Sequence, residues 1–331
     1  MKKIFFAFLF YFIFSSQTFA ESRKIPPTLK PGDCIGIITP GTYAQEKDFE
    51  AVELLKAHGY KIKFAPAAKS IYGHFAGSDR KRADDINNFF KDDEVKAILC
   101  TRGGYGCARV LDKLDYKMIA KHPKMLIGFS DVTALHIVIG ERCKLSTIHG
   151  AMLVSFSKEN FDSEYTREKF FNGLENGFFG EIPMPDGQEL KSVINGRAEG
   201  VIMGGNLTVL ASLVGTPYEL NGKGALLLIE EVGEKPYRID RMMNQLYQSG
   251  LLNRVNGILF GDFIGCTDPD PSGIEDFTVE QVLKYYARLS GKPVIKNIPA
   301  GHGKFNAFIP LGVHAVMDAN ENKASVILIR N

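Results

Sequence analysis

Charge of one sign is missing from this sequence: 40 Lys and Arg stand against 38 Asp and Glu, a net charge of +2 over 331 residues. Neither sign dominates any long stretch, so there is no basic face of the kind nucleic-acid binding needs, and no nucleic-acid partner is expected. Metal-ligand spacing is missing too. There is no HExxH and no His/Asp/Glu cluster at ligand intervals, so the sequence carries no metallopeptidase signature, and neither a metal nor another cofactor is expected. Cys34, Cys100, Cys107, Cys143 and Cys266 include no CxxC pair and no regular spacing, which argues against a zinc site or a disulfide framework. Several of them sit in apolar runs and read as small buried hydrophobes.

No segment beyond the N-terminus looks transmembrane. The N-terminus itself is distinctive. Met1-Lys2-Lys3 is a short basic start, Ile4 to Phe14 is unbroken apolar sequence, and Ser15 to Ala20 supplies small residues with Thr18 and Ala20 at signal-peptidase spacing. The apolar run is too short to span a bilayer, which takes roughly 20 residues. Residues 1–20 are therefore expected to be a cleaved secretory signal, with the mature chain starting near Glu21. The expected location is the periplasm or another exported compartment, with no stable membrane insertion after cleavage.

The first half alternates strand and helix. Cys34 to Thr39, Val95 to Cys100 and Met125 to Phe129 are buried-strand runs, and Tyr60, Ile62 and Phe64 alternate as another strand. Helical patterns lie between them, over Glu46 to His58, after the N-cap Ser78, and from Asp131 to Arg142. This alternation predicts an α/β fold with a parallel sheet covered by helices. From about Ser157 to Ser192 the period is lost, and Asn172-Gly173 and Pro183 to Gly187 read as a connection. The second half mixes strands (Ala225 to Ile229, Gly257 to Gly261, Val313 to Met317, Ser325 to Ile329) with fewer helices.

Three local features could carry chemistry. Gly128-Phe129-Ser130-Asp131-Val132 places a serine at a strand-to-helix turn, where its hydroxyl would stand above the sheet edge near the positive end of a helix. Val132 stands where G-x-S-x-G has its second glycine, and a plain N-cap is the competing reading. Arg102-Gly103-Gly104-Tyr105-Gly106 follows a strand of the same domain. Its spacing is GGxG and not GxGxxG, so it reads as a dinucleotide loop only weakly; a turn needing positive φ and an oxyanion donor beside Ser130 are the alternatives. A serine nucleophile needs a base and an orienting acid. His302 sits in a glycine-flanked loop, with His149 as runner-up, and Glu230-Glu231 ends the apolar strand Leu226 to Ile229, where carboxylates are often mere solvated edges.

Taken together, several stretches resemble the LD-carboxypeptidase family of serine peptidases, which includes the muramoyl-tetrapeptide carboxypeptidases. They are Pro31-Gly32-Asp33, Thr101 to Gly106, Gly128 to Leu135, His149-Gly150, Gly204 to Leu207, Gly215-Thr216-Pro217, Glu230 to Glu234, Tyr237 to Arg241 and Gly301-His302. The resemblance implies a catalytic set of Ser130, Glu230 and His302, and an oxyanion hole from the backbone N–H groups of Asp131 and Gly104. Glu231 competes with Glu230 for the acid. Arg102, Tyr105 and His149 are the substrate-binding candidates. It also implies a Rossmann-like N-terminal domain (residues 24–165) carrying the nucleophile and a linker (166–191). A smaller β-rich C-terminal domain (192–331) would carry the other two, with the active site in the cleft between the domains. The implied reaction removes the terminal D-alanine from a murein tetrapeptide through an acyl-enzyme, in a homodimer. Two rivals stand beside this reading. One is the immunity-type branch of the family, which hydrolyses aminoacyl-nucleotide antibiotics; the other is a non-catalytic periplasmic muropeptide-binding protein.

Overall fold

The computed structural model describes residues 23–157, 163–267 and 277–330. The signal sequence expected over residues 1–20 lies outside them. The first half runs β1 (Cys34–Ile38), α1 (Val52–Ala57), β2 (Lys61–Phe64), α2 (Asp79–Lys91), β3 (Val95–Cys100), α3 (Tyr116–Lys121), β4 (Met125–Gly128), α4 (Thr133–Cys143) and β5 (Thr147–His149). Then come α5 (Glu164–Asn176), β6 (Gly180–Glu181), β7 (Lys191–Ile194), β8 (Gly196–Asn206), α6 (Leu207–Leu213), β9 (Leu226–Val232), α7 (Pro236–Gln248) and α8 (Leu251–Arg254). The chain closes with β10 (Gly257–Ile264), α9 (Val279–Ser290), β11 (Val294–Lys296), β12 (Ile309–Leu311), β13 (His314–Ala319) and β14 (Ser325–Leu328).

These elements build two sheets. The first has the order β12-β5-β4-β3-β1-β2 and is parallel except for β12, which pairs antiparallel with β5. The second has the order β6-β14-β13-β8-β9-β10-β11-β7, with β8 to β11 parallel and antiparallel strands on both sides. The α/β class expected from the sequence is the class observed, and the second half is strand-rich, with eight strands in its sheet against six in the first. The central strands are buried on both faces and so read as continuous apolar runs instead of alternating ones. One core cluster joins Ile98 and Leu126 of the first sheet, Leu135 of α4, and Leu227 and Ile258 of the second sheet. The two sheets therefore share an apolar seam, which is what fixes one domain's loops against the other's.

The segment expected to be a loose connection is different in the structure. α5 occupies Glu164–Asn176 and buries Phe170, Phe171 and Leu174. Asn172-Gly173 gave a turn signal, but a Cβ on Gly173 would lie 2.3 Å from the Phe308 ring. That glycine permits close helix packing, which sequence pattern alone does not distinguish from a turn.

In an open parallel sheet the functional crevice lies outside the carboxyl ends of the strands, where the order reverses. Here the reversal falls between β1 and β3, and the loops that follow β1, β3 and β4 meet there. Arg82, almost fully buried on α2, braces two of these loops. Its guanidinium donates to the carbonyls of Pro40 and of Gly106, the latter at 2.9 Å, and pairs with Asp79 at 2.5 Å. Asp131 adds a second brace, its Oδ2 accepting from the Cys107 N–H at 2.8 Å. Arg82→Ala leaves those carbonyls without their donor, so it is expected to lower unfolding free energy by about 3 kcal/mol, read from the urea midpoint.

Candidate active site

β4 ends at Gly128, and the chain turns through Phe129 into a 3₁₀ turn over Ser130–Val132 that leads into α4. Ser130 has φ of 62°, one of three non-glycine residues with positive φ among those described. A side chain held in that region costs energy, and such strain clusters at functional sites. Val132, which departs from G-x-S-x-G, is buried with its methyl carbons 3.0 and 3.1 Å from where a Gly128 Cβ would be. Gly128 therefore makes room for the Val132 side chain.

The turn after β3 lies directly against this serine. A Cβ built on Gly103 would fall 2.9 Å from Ser130 Cβ, 3.0 Å from Ser130 Oγ and 3.3 Å from the Asp131 nitrogen. Gly104 has φ of +100°, and its Cβ position is occupied by Thr42 Oγ1 at 2.2 Å. Thr42 Oγ1 in turn accepts from the Tyr105 N–H at 2.9 Å. The GGYG turn therefore needs positive φ at Gly104 and also presents backbone beside Ser130, two readings that exclude neither each other nor an oxyanion role. Gly103→Ala is expected to push Ser130 aside and lower kcat/KM by about 100-fold while leaving the melting temperature within a few degrees.

The second sheet contributes the other reactive groups. Consecutive strand residues face opposite sides, so Glu230 and Glu231 at the end of β9 have separate surroundings. Glu230 is fully buried, and its Oε2 lies 2.7 Å from Nδ1 of His302. Burial pushes the Glu230 carboxyl up, while the contact with His302 pulls it down. Glu231 is saturated: it accepts from Asn206 Nδ2 at 3.0 Å, the Val232 N–H at 2.8 Å, the Thr208 N–H at 2.8 Å and the Thr208 hydroxyl at 2.7 Å. Of the two carboxylates, Glu230 is the one brought to the imidazole. Phe129, next to Ser130, packs edge-on to the His302 ring with centroids 4.9 Å apart.

Ser130 and His302 line one cavity of about 390 Å³, together with Arg102, Gly103 and Gly104 from the first half and Lys304 and Asn306 from the second. A larger groove of about 930 Å³ runs along β7, β10 and α9, but it contains neither Ser130 nor His302, so volume alone does not mark the reactive cleft. Two expected substrate contacts fall elsewhere. His149 is wholly buried behind Phe129, ring centroids 5.8 Å apart, and burial depresses its imidazole to about 3. It ends β5 inside the sheet and does not reach the cavity. Tyr105 is 53% exposed and leans on Phe75, outside the cavity lining. Arg102 does line the cavity, with its guanidinium 3.8 Å from Asp48.

Lys304 and Thr166 also line the cavity and were not anticipated. Lys304 lies two residues past His302 in the same glycine-rich loop, so the loop itself was the available signal. Thr166 belongs to α5, which the sequence pattern hid. Its hydroxyl accepts from the Asn306 N–H at 3.0 Å, and Asn306 Nδ2 donates to the Gly301 carbonyl at 3.0 Å. The helix misread as a connection thus buttresses the histidine loop.

A strained serine at a strand-to-helix turn and a histidine backed by a buried carboxylate thus line one cavity. Comparison with known proteins shows the family. Models of the LD-carboxypeptidase N-terminal and C-terminal domains match residues 35–150 and 199–317. The chain belongs to the LD-carboxypeptidase family, a family of peptidases. It is 35% identical over 305 residues to a probable murein peptide carboxypeptidase of Bacillus subtilis, covering 91% of this chain and 93% of that protein. It is 30% identical over 295 residues to a murein tetrapeptide carboxypeptidase of Pseudomonas aeruginosa, covering 86% and 93%. Among solved structures, an MccF-like protein of Bacillus anthracis superposes with a TM-score of 0.79 at 28% identity, covering 93% of this chain and all of that one.

Proposed function

We propose that this protein is a serine LD-carboxypeptidase that removes the terminal D-alanine from murein tetrapeptides. The observation that carries the reading is the 2.7 Å contact between His302 Nδ1 and the buried Glu230, in a cavity that also holds Ser130. With Nδ1 engaged by the carboxylate, Nε2 is the free base. It takes the Ser130 proton as Oγ attacks the carbonyl carbon of the L,D-peptide bond. The oxyanion is held by N–H groups of Asp131 and Gly104, at the start of the helical turn and in the adjoining glycine turn. His302⁺ then protonates the departing D-alanine amine, leaving the tripeptide esterified to Ser130, and water activated by His302 releases it. Glu230 holds the tautomer and stabilises the imidazolium. Arg102 and Lys304, the cations of the cavity lining, suit the terminal carboxylate of the peptide.

The basic-apolar leader supports export, so the substrate would be met in the periplasm, as free muropeptide or within the wall. We further propose a homodimer, on family resemblance alone. The reading is tested by incubating mature protein with purified disaccharide-tetrapeptide and, separately, with an aminoacyl-sulfamoyl nucleoside, following the products by mass spectrometry. D-alanine release that survives a chelator is the expected result. Hydrolysis of the nucleoside conjugate alone would favour the immunity-type reading, and no turnover of either, with retained muropeptide affinity, the binding-protein reading.

A further inference from the structure

β10 does not run evenly beside β9. Phe260 pairs with Ile229 and Phe263 with Glu231, so Gly261 and Asp262 together oppose the single residue Glu230. This is a β-bulge, the device that re-aims a side chain beside a site. Gly261 makes it possible, since a Cβ there would lie 2.4 Å from the Ala300 carbonyl oxygen and 3.2 Å from Glu230 Cβ. The bulge turns Asp262 onto the histidine loop. Its N–H donates to the Ala300 carbonyl at 2.9 Å and its Oδ2 accepts from the Gly303 N–H at 3.1 Å, so one residue grips the loop on both sides of His302. The loop lies so close that a Cβ on Gly303 would fall 2.3 Å from Asp262 Oδ2, and one on Gly301 2.8 Å from Glu230 Oε2 and 3.3 Å from Asp262 Cβ.

We propose that Asp262 is a positioning residue for His302, a second carboxylate that fixes the Ala300–Gly303 loop and adds a negative field favouring the imidazolium formed during turnover. This rests on reading His302 as the base. Burial raises the Asp262 carboxyl to about 6, opposed by the Gly303 N–H and assisted by the nearby Glu230 charge, so at neutral pH it is ionised. The charged groups facing it are Glu230 from β9 and His302 from the loop; the large groove that Asp262 also lines carries Glu189, Lys191, Glu280, Lys284 and Lys296.

Asp262→Asn keeps an acceptor for the Gly303 N–H and removes only the charge. It is expected to lower kcat about tenfold with KM little changed, and to displace the acid limb of kcat to lower pH by about one unit. Asp262→Ala also releases the loop, so KM rises as well. The decisive readout needs no substrate: in protein carrying labelled histidine, the midpoint of the His302 ring titration moves to lower pH in Asp262→Asn. In the wild type, the same resonances register a second inflection near pH 6 that the variant loses, a measurement that does not depend on the variant folding. A midpoint unchanged in well-folded Asp262→Asn, or a wild-type titration without the second inflection, overturns the proposal. If the wild type turns over no muropeptide and the ring titration still moves, the assigned reaction fails and the positioning role stands.

Discussion

Replacing Ser130 with Ala is expected to lower kcat for the proposed D-alanine release by roughly four orders of magnitude or more, with circular dichroism unchanged. The size follows from losing the covalent step itself; what survives is water attack aided by the oxyanion donors. The strained backbone supplies an internal control. Ser130 holds φ of 62°, which alanine tolerates no better than serine and glycine tolerates freely. Ser130→Gly should therefore be equally inactive yet more stable than Ser130→Ala by about 1 kcal/mol, measured by urea denaturation. A serine that only capped α4 would show the stability change without the collapse in rate.

The second large effect separates the adjacent carboxylates. Glu230→Gln is expected to cost about 10⁴-fold in kcat, because an amide beside Nδ1 neither fixes the tautomer nor stabilises the imidazolium. The protein should fold normally, since the amide keeps the shape of the carboxylate, Glu230 Oε1 has no hydrogen-bond partner among the described residues, and Oε2 meets His302. Glu231→Ala should behave in the opposite way. It leaves donors of Asn206, Thr208 and Val232 without their acceptor, for a loss of about 3 kcal/mol, while the folded fraction keeps kcat within about tenfold. Reversed phenotypes would place the acid at Glu231.

What the sequence disclosed follows the physics of each feature. Strands buried on both faces, such as Leu226 to Ile229, announce themselves as apolar runs, and Ser78 was readable as a cap because its hydroxyl accepts locally, from the Lys81 N–H at 3.3 Å. β8 was harder to read, because Gly200 and Gly204 interrupt its pattern. Both are demanded by neighbouring carbonyls, those of Gly224 and Leu228, each 2.1 Å from where a Cβ would stand. In the site, Ser130, Glu230 and His302 were reachable through local turn and strand-end signals joined by family resemblance. Asp262 was not, because its role arises from a register shift between two strands, and a bulge leaves no periodic trace. His149 misled for a related reason: a histidine beside a glycine looks functional in sequence, whereas only the sheet shows it facing the interior.

On the proposed mechanism Ser130, His302 and Glu230 act as one unit. The measurement that tests it most directly is a double-mutant cycle on kcat for D-alanine release, using Ser130→Ala, His302→Ala and the pair together. The double variant is expected to be no slower than the slower single variant, since a base without its nucleophile has nothing to activate. Effects that multiply would contradict it, because they would mean that the two residues contribute independently.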